Sequence, residues 1–235
     1  MWRRAVVASA LLFFPSLAHA EPACPNVVGG ERELDAIPMA VRSRWLDATL
    51  RHESSKAKVW TWTWVALGAA GTAANLTVGA LVSYHPRVDR FVAAGSTFGL
   101  AVSTLLFPLR IRTDDGALTD DDCSIVVRRE RLLLDAVERE ERGRRWFAHA
   151  LGVVGGLTAG AILGFGYDHW TSAAINAIGS VVVNEVKIWT RPAGAVAALR
   201  RYREGALPVD GYVGLDVVPV MVGPASGGAA LVLTF

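Results

Sequence analysis

The sequence predicts an all-α membrane protein carrying extramembrane amphipathic helices and a short C-terminal β-hairpin, and three observations carry that prediction. The 235 residues are 52% hydrophobic and only 20% charged, with a mean hydropathy of +0.33, a balance too apolar for an ordinary soluble domain of this length. Four apolar segments of spanning length follow one another, at 60–84, 91–109, 146–167 and 170–189. Tryptophans gather at the ends of those segments.

The first element, residues 1–20, has a basic start at Arg3 and Arg4, an apolar run from Ala5 to Phe14, a break at Pro15 and Ala18-His19-Ala20 before Glu21. This is the pattern of a removable secretory signal, and its apolar run is too short to span a bilayer. Counted from Glu21 the chain holds 22 basic and 22 acidic residues. Such neutrality excludes a large electrostatic footprint for nucleic acid. The two cysteines, Cys24 and Cys123, both lie in polar stretches. In the oxidising compartment that export implies, they are expected to form a disulfide.

An extramembrane helical segment is expected over 21–59, with its helix at 34–59. The first transmembrane hairpin follows over 60–109. At about 1.5 Å per residue each apolar segment crosses a hydrocarbon core of about 30 Å. Trp60, Trp62, Trp64, Trp146, Trp170 and Trp189 mark the interfaces as an aromatic belt. The connection 110–145 contains a charged amphipathic helix with Val126, Leu133 and Val137 on its apolar side. Arg142, Arg144 and Arg145 come last in it, where they meet lipid headgroups.

The second hairpin, 146–189, repeats the first. At an offset of 84 residues the matches include Trp62/Trp146, Ala66-Leu67-Gly68/Ala150-Leu151-Gly152, Gly71/Gly155, His85/His169, Gly95-Ser96/Gly179-Ser180 and Pro108/Pro192. Helices in lipid associate through small residues that admit close backbone approach. Gly152, Gly156, Gly160 and Gly164 form a four-residue zipper on the third helix, with Gly95 and Gly99 a shorter one on the second and Ala66, Ala70 and Ala74 on the first.

The fourth helix carries a polar stripe, Ser172, Asn176, Ser180 and Asn184, with Lys187 close to the same face. Polar groups in hydrocarbon avoid lipid, so this face should point into the bundle, with Asn75 of the first helix as a hydrogen-bond partner. His85 and His169 fall at equivalent positions in the two short links, beside Asp89 and Asp168. The segment His85-Pro86-Arg87-Val88-Asp89 resembles the His-x-x-x-Asp end of membrane phosphatidate phosphatases, and Lys187 with Arg191-Pro192 resembles their phosphate-binding segment. That resemblance implies phosphate chemistry, but the family's Ser-Arg and Pro-Ser-Gly-His have no counterpart and the order is reversed. Neither phosphate clamp nor general acid is complete, so no enzyme activity, cofactor or metal is expected.

The tail, 190–235, turns β-prone after Gly205, with runs at 213–222 and 229–235 around a Gly/Pro-rich turn, which reads as a hairpin. Its terminal Phe235 resembles the closing strand of outer-membrane barrels, yet two strands cannot close one. The predicted location is the cell inner membrane, with polar segments periplasmic. Twenty basic residues then lie on the outer side against Arg87 and Arg90 inside, the reverse of the positive-inside bias. The expected role is structural or interaction-based, with membrane lipid and a second copy or an envelope protein as partners, and no nucleic acid. A small transporter or pore lined by the polar stripe is the alternative.

Overall fold

The computed structural model describes Cys24, 26–29, Leu34, 37–114 (His85 without its side chain) and 123–207, together with the backbone of 214–221 and 227–234. The signal segment 1–20 lies outside the described residues. Six helices follow in order: α1 Met39–Leu81, α2 Tyr84–Leu106, α3 Cys123–Arg142, α4 Trp146–Tyr167, α5 Trp170–Trp189 and α6 Gly194–Arg203. Beyond them β1 Gly214–Met221 pairs antiparallel with β2 Gly227–Thr234, Gly214 opposite Thr234 and Met221 opposite Gly227. The turn residues 222–226 and Phe235 fall outside the described residues.

The main departure from expectation is α1. Instead of an extramembrane helix joined to a separate span, one helix of 43 residues runs from Met39 to Leu81, about 65 Å at the α-helical rise. It begins at Met39 rather than Leu34, directly after Pro38, whose ring fits a helix start but not a helix interior. No Gly or Pro interrupts 39–67, so nothing in the chain forces a break between the charged and the apolar half. The charged half and the apolar half are therefore one rigid rod.

Two helical stretches, Met39–Leu81 and Cys123–Tyr167, are long and apolar enough to cross a membrane. The second combines α3 and α4 across a turn at 143–145. α2 and α5 form where the sequence places its second and fourth apolar segments, but α2 opens with Arg87, Asp89 and Arg90, and α5 holds Asn, Ser, Glu and Lys.

The molecule divides into a head and a bundle. In the head, the first half of α1, α3 and α6 pack around Trp45, Leu46, Leu50, Val126, Leu133, Ala198 and Tyr202. The buried positions of α3 include Val126, Glu130, Leu133, Val137 and Glu140, the three-and-four spacing of one helix face. In the bundle, α1 lies against α2 and α4 against α5, with α2 touching both members of the second pair. Exposed Trp62, Phe98, Phe107, Trp146, Leu157, Phe165 and Ile178 cover its outside.

Cys24 and Cys123 are joined as a disulfide across 99 residues of sequence. It fastens the N-terminal segment to the first residue of α3. Closing so long a loop restricts the unfolded chain by about 5 kcal/mol in the chain-entropy account. The Cys24→Ser/Cys123→Ser double variant is expected to unfold several degrees lower in a thermal melt in detergent, and reduction of the wild type should reproduce the shift. An unchanged melting temperature would show that the crosslink does not constrain the head.

Candidate functional site

Among the described residues, polar clusters are built into the head and into each end of the bundle. In the head, Glu130 projects from the apolar face of α3 and is fully buried. Its Oε1 accepts from Arg42 Nη2 at 2.6 Å and from the Tyr202 hydroxyl at 2.5 Å, and its Oε2 accepts from the Val27 backbone N–H at 3.0 Å. Arg42 Nε donates to the Tyr202 oxygen at 3.0 Å, and Trp45 stacks on the Tyr202 ring at 5.5 Å. Burial first, and then the neighbouring Glu130, push the Tyr202 phenol above its usual range. It therefore remains an O–H donor. Beside this hub, Arg129 donates to the Ser43 carbonyl at 3.0 Å and its hydroxyl at 2.5 Å.

Nearly three turns further along α3, Glu140 reaches the start of α6. It accepts the backbone N–H groups of Ala195 and Val196, each at 3.2 Å, donors that a helix N-terminus leaves unpaired. A carboxylate from another helix thus takes the role of a capping side chain. Glu53 of α1, also buried, presses onto Gly194, where an added Cβ would fall 2.0 Å from its Oε2. A side chain at this position would have to displace the Glu53 carboxyl.

At the far end of the bundle, Asp89 of α2 is bridged to the second hairpin. His169 Nδ1 lies 2.6 Å from its Oδ1, and the Ser172 hydroxyl donates to its Oδ2 at 2.7 Å. Asp168, the left-handed residue that ends α4, accepts from the Trp170 indole at 2.8 Å. At the head end, His149 lies 2.8 Å from Glu185, Lys187 Nζ stands 3.4 Å from Ser103 Oγ, and the indoles of Trp60 and Trp64 both donate to Thr190 Oγ1 at 3.4 and 3.3 Å.

The sequence-predicted residues distribute unevenly over this frame. Ser172, Asn176, Ser180, Asn184 and Lys187 are all half-buried on α5. Asn184 donates across to the Ala148 carbonyl of α4 at 3.3 Å, whereas Asn176 bonds back to Ser172 of its own helix. Asn75 bonds Gly71 of its own helix rather than the stripe. The α4 glycines face α5: a Cβ at Gly156 would fall 2.7 Å from the Ala177 carbonyl oxygen, at Gly160 3.1 Å from the Ala177 side chain, at Gly152 2.1 Å from Asn184 and at Gly164 2.8 Å from Trp170. Gly95 and Gly99 have nothing within 4 Å, and Ala66, Ala70 and Ala74 are exposed. Contact between α1 and α2 runs instead through Gly68 and Gly71, against Ala101 and Thr97. An α-helix turns about 100° per residue, so a set displaced by two positions, as Gly95 and Gly99 are from Thr97 and Ala101, lies on the opposite face.

Trp60 and Trp64, placed in the belt by their position, are buried and polar-bonded inside the molecule; Trp62, Trp146, Trp170 and Trp189 are exposed. His85 lies in the first turn of α2 and Lys187 of α5 touches Ser103 near the other end of α2, so the two fragments that resemble the phosphatases stand a helix length apart. Among the described residues no group of three or more His, Cys, Asp or Glu is placed to hold a metal ion.

Sequence reasoning passed over the Glu130 hub, the Glu140 cap and the His149–Glu185 pair. The first two had a signal: Glu130 and Glu140 interrupt the apolar face Val126, Leu133, Val137, and a carboxylate on a buried face needs a partner. No family model, curated protein or solved structure matches the chain.

Burial is the main cause that raises the Glu140 carboxyl to about 7; the α6 backbone N–H groups oppose the rise and Glu53 adds to it. The folded state thus holds the proton more tightly than the unfolded chain, so this stability is present below the usual carboxyl value and is lost as pH rises through 7. From pH 5 to pH 8 the contribution falls by up to about 3 kcal/mol. Glu140→Gln should flatten that part of the melting-temperature profile relative to wild type. Parallel profiles would remove Glu140 as the cause.

Proposed function

We propose that this chain is an integral membrane protein of the cell envelope with a structural or interaction role. Four helices cross the inner membrane as a duplicated hairpin after removal of the 1–20 signal, and the disulfide-closed head, with the C-terminal hairpin, stands on the periplasmic side. One observation carries the reading: around α5, polar and small residues are spent on helix-to-helix contacts. Ser172 and His169 hold Asp89, Asn184 holds the Ala148 carbonyl, and the α4 glycines seat α5. A solute path would need such groups turned toward an open lumen.

Two further observations support the arrangement. The repeat corresponds to the two antiparallel pairs, α1 with α2 and α4 with α5, a known way of building membrane bundles. The head carries the Cys24–Cys123 disulfide, which persists in an oxidising compartment and so favours the outer side over the positive-inside count. Acidic residues in the head pair many of its arginines, as Arg42 with Glu130 and Arg128 with Asp114, which weakens that count as a guide.

A reporter enzyme active only outside the cytoplasm, fused after Phe235, is expected to be active; activity only from a cytoplasmic reporter would invert the orientation. Purified protein in vesicles is expected to pass no ions or small polar solutes above the rate of empty vesicles. Flux that is abolished in Asn176→Leu and Asn184→Leu would replace the structural reading with that of a pore.

A further inference from the structure

Where the head meets the bundle, the outside of the molecule carries a collar of cations, unpaired among the described residues, directly above exposed aromatic rings. Several contacts bring the four apolar segments to one level there. Trp60 and Trp64 share Thr190, the Arg191 guanidinium lies 5.4 Å from the Trp60 ring centre, Arg144 donates to the Arg191 carbonyl, and Lys187 reaches Ser103. At this level Trp62 is 63% exposed, Phe107 76%, Trp146 78% and Trp189 73%. Rings so placed sit at the headgroup boundary of a bilayer.

The cations are placed by backbone geometry. Lys58 precedes Trp62 by four residues on an unbroken helix, so the two share a face, and both are exposed. Just after Phe107 the chain leaves α2 and alternates: Leu109 and Ile111 turn into the head core, while Arg110 and Arg112 are exposed. Arg145 immediately precedes Trp146 and is exposed. Lys58, Arg110, Arg112 and Arg145 have no hydrogen-bond or ion-pair partner among the described residues, in contrast to Arg42, Arg129 and Arg142, which are held by protein groups. Among the described acids of the same region, Glu185 is paired with His149, Asp114 with Arg128, and Glu141 lines a groove between α3 and α6 with Arg200 and Arg203.

We propose that this collar binds the phosphate headgroups of anionic phospholipids, with the exposed rings seated among the glycerol and upper acyl groups beneath. The inference rests on the reading of the apolar helices as membrane-spanning and adds a lipid class and named contacts to it. Phosphate is the complementary group because the collar is cationic, lies at headgroup depth and, among the described residues, has no acid paired with it. Each basic side chain near an anionic surface contributes attraction of about fivefold, so three or four together enrich such a lipid severalfold at the protein surface.

The test uses the full chain in phosphatidylcholine vesicles containing a minority of phosphatidylglycerol, with brominated acyl chains either on the phosphatidylglycerol or on an equal share of the phosphatidylcholine. Tryptophan quenching reads which lipid touches the belt. The expected result is severalfold stronger quenching from the brominated phosphatidylglycerol, an excess lost in Lys58→Gln/Arg110→Gln/Arg145→Gln and kept in Arg131→Gln/Arg200→Gln, whose exposed arginines lie in the head. An unfolding temperature in phosphatidylcholine equal to wild type verifies that the triple variant is folded. Equal quenching by the two lipids overturns the headgroup preference and leaves the membrane reading standing, whereas no quenching by either overturns the membrane reading itself. Loss of the excess in both variants would assign it to diffuse net charge and overturn the collar.

Discussion

Glu130 is removed from water, and the head is arranged around keeping its carboxylate supplied with donors. Arg42 comes from α1, the Tyr202 hydroxyl from α6 and the Val27 N–H from the N-terminal segment, so four separate parts of the chain meet at two oxygen atoms. An isolated buried carboxylate costs several kcal/mol, whereas a paired one is close to neutral. The cluster therefore adds little net stability while excluding arrangements in which any of the three donors is displaced. Since α1 continues as one helix into the bundle, an orientation set at Arg42 is transmitted along the rod to Gly68 and the α2 contact.

Glu140 repeats the same device with a different outcome. It too is buried and too is supplied by another helix, but by backbone N–H groups rather than by a cation, and with Glu53 close by. Glu130 has a guanidinium within 2.6 Å. Two carboxylates on one helix face thus differ in their electrostatic setting because of what α1 and α6 place opposite them.

The bundle shows the converse economy. Most of its outer surface is apolar, so shape and a few polar bonds decide which helix surfaces meet. Gly156 and Gly160 let the α4 backbone approach Ala173 and Ala177 closely, and Asp89 fixes the second hairpin to the first at the end away from the head. The head end is closed by Thr190 between two tryptophans and by Lys187 at Ser103. Polar links at both ends and close packing between them leave the outer face to the exposed aromatic and aliphatic side chains.

Much of this was legible in the sequence where a local pattern maps onto a local consequence. Hydropathy and length locate the helices, the charged amphipathic pattern of 124–145 gives α3 its buried face, and the α4 glycine spacing identifies the surface that packs. The two cysteines, outside the apolar segments, are also the pair that joins. Legibility ended where identity depends on a distant partner. The Gly95 and Gly99 spacing is as regular as that of α4, yet nothing approaches it; Trp60 and Trp64 sit at a predicted boundary, yet turn inward to Thr190, 130 and 126 residues away. Periodicity states that a face exists, but which face meets another helix is set by the rotation of the whole rod. That rotation follows from contacts such as Arg42 with Glu130, 88 residues apart. The sequence by itself determined the elements and the separation of charged from apolar mass, because those follow from neighbouring side chains; only the tertiary structure decided which polar groups are paired, because pairing is a property of two surfaces at once.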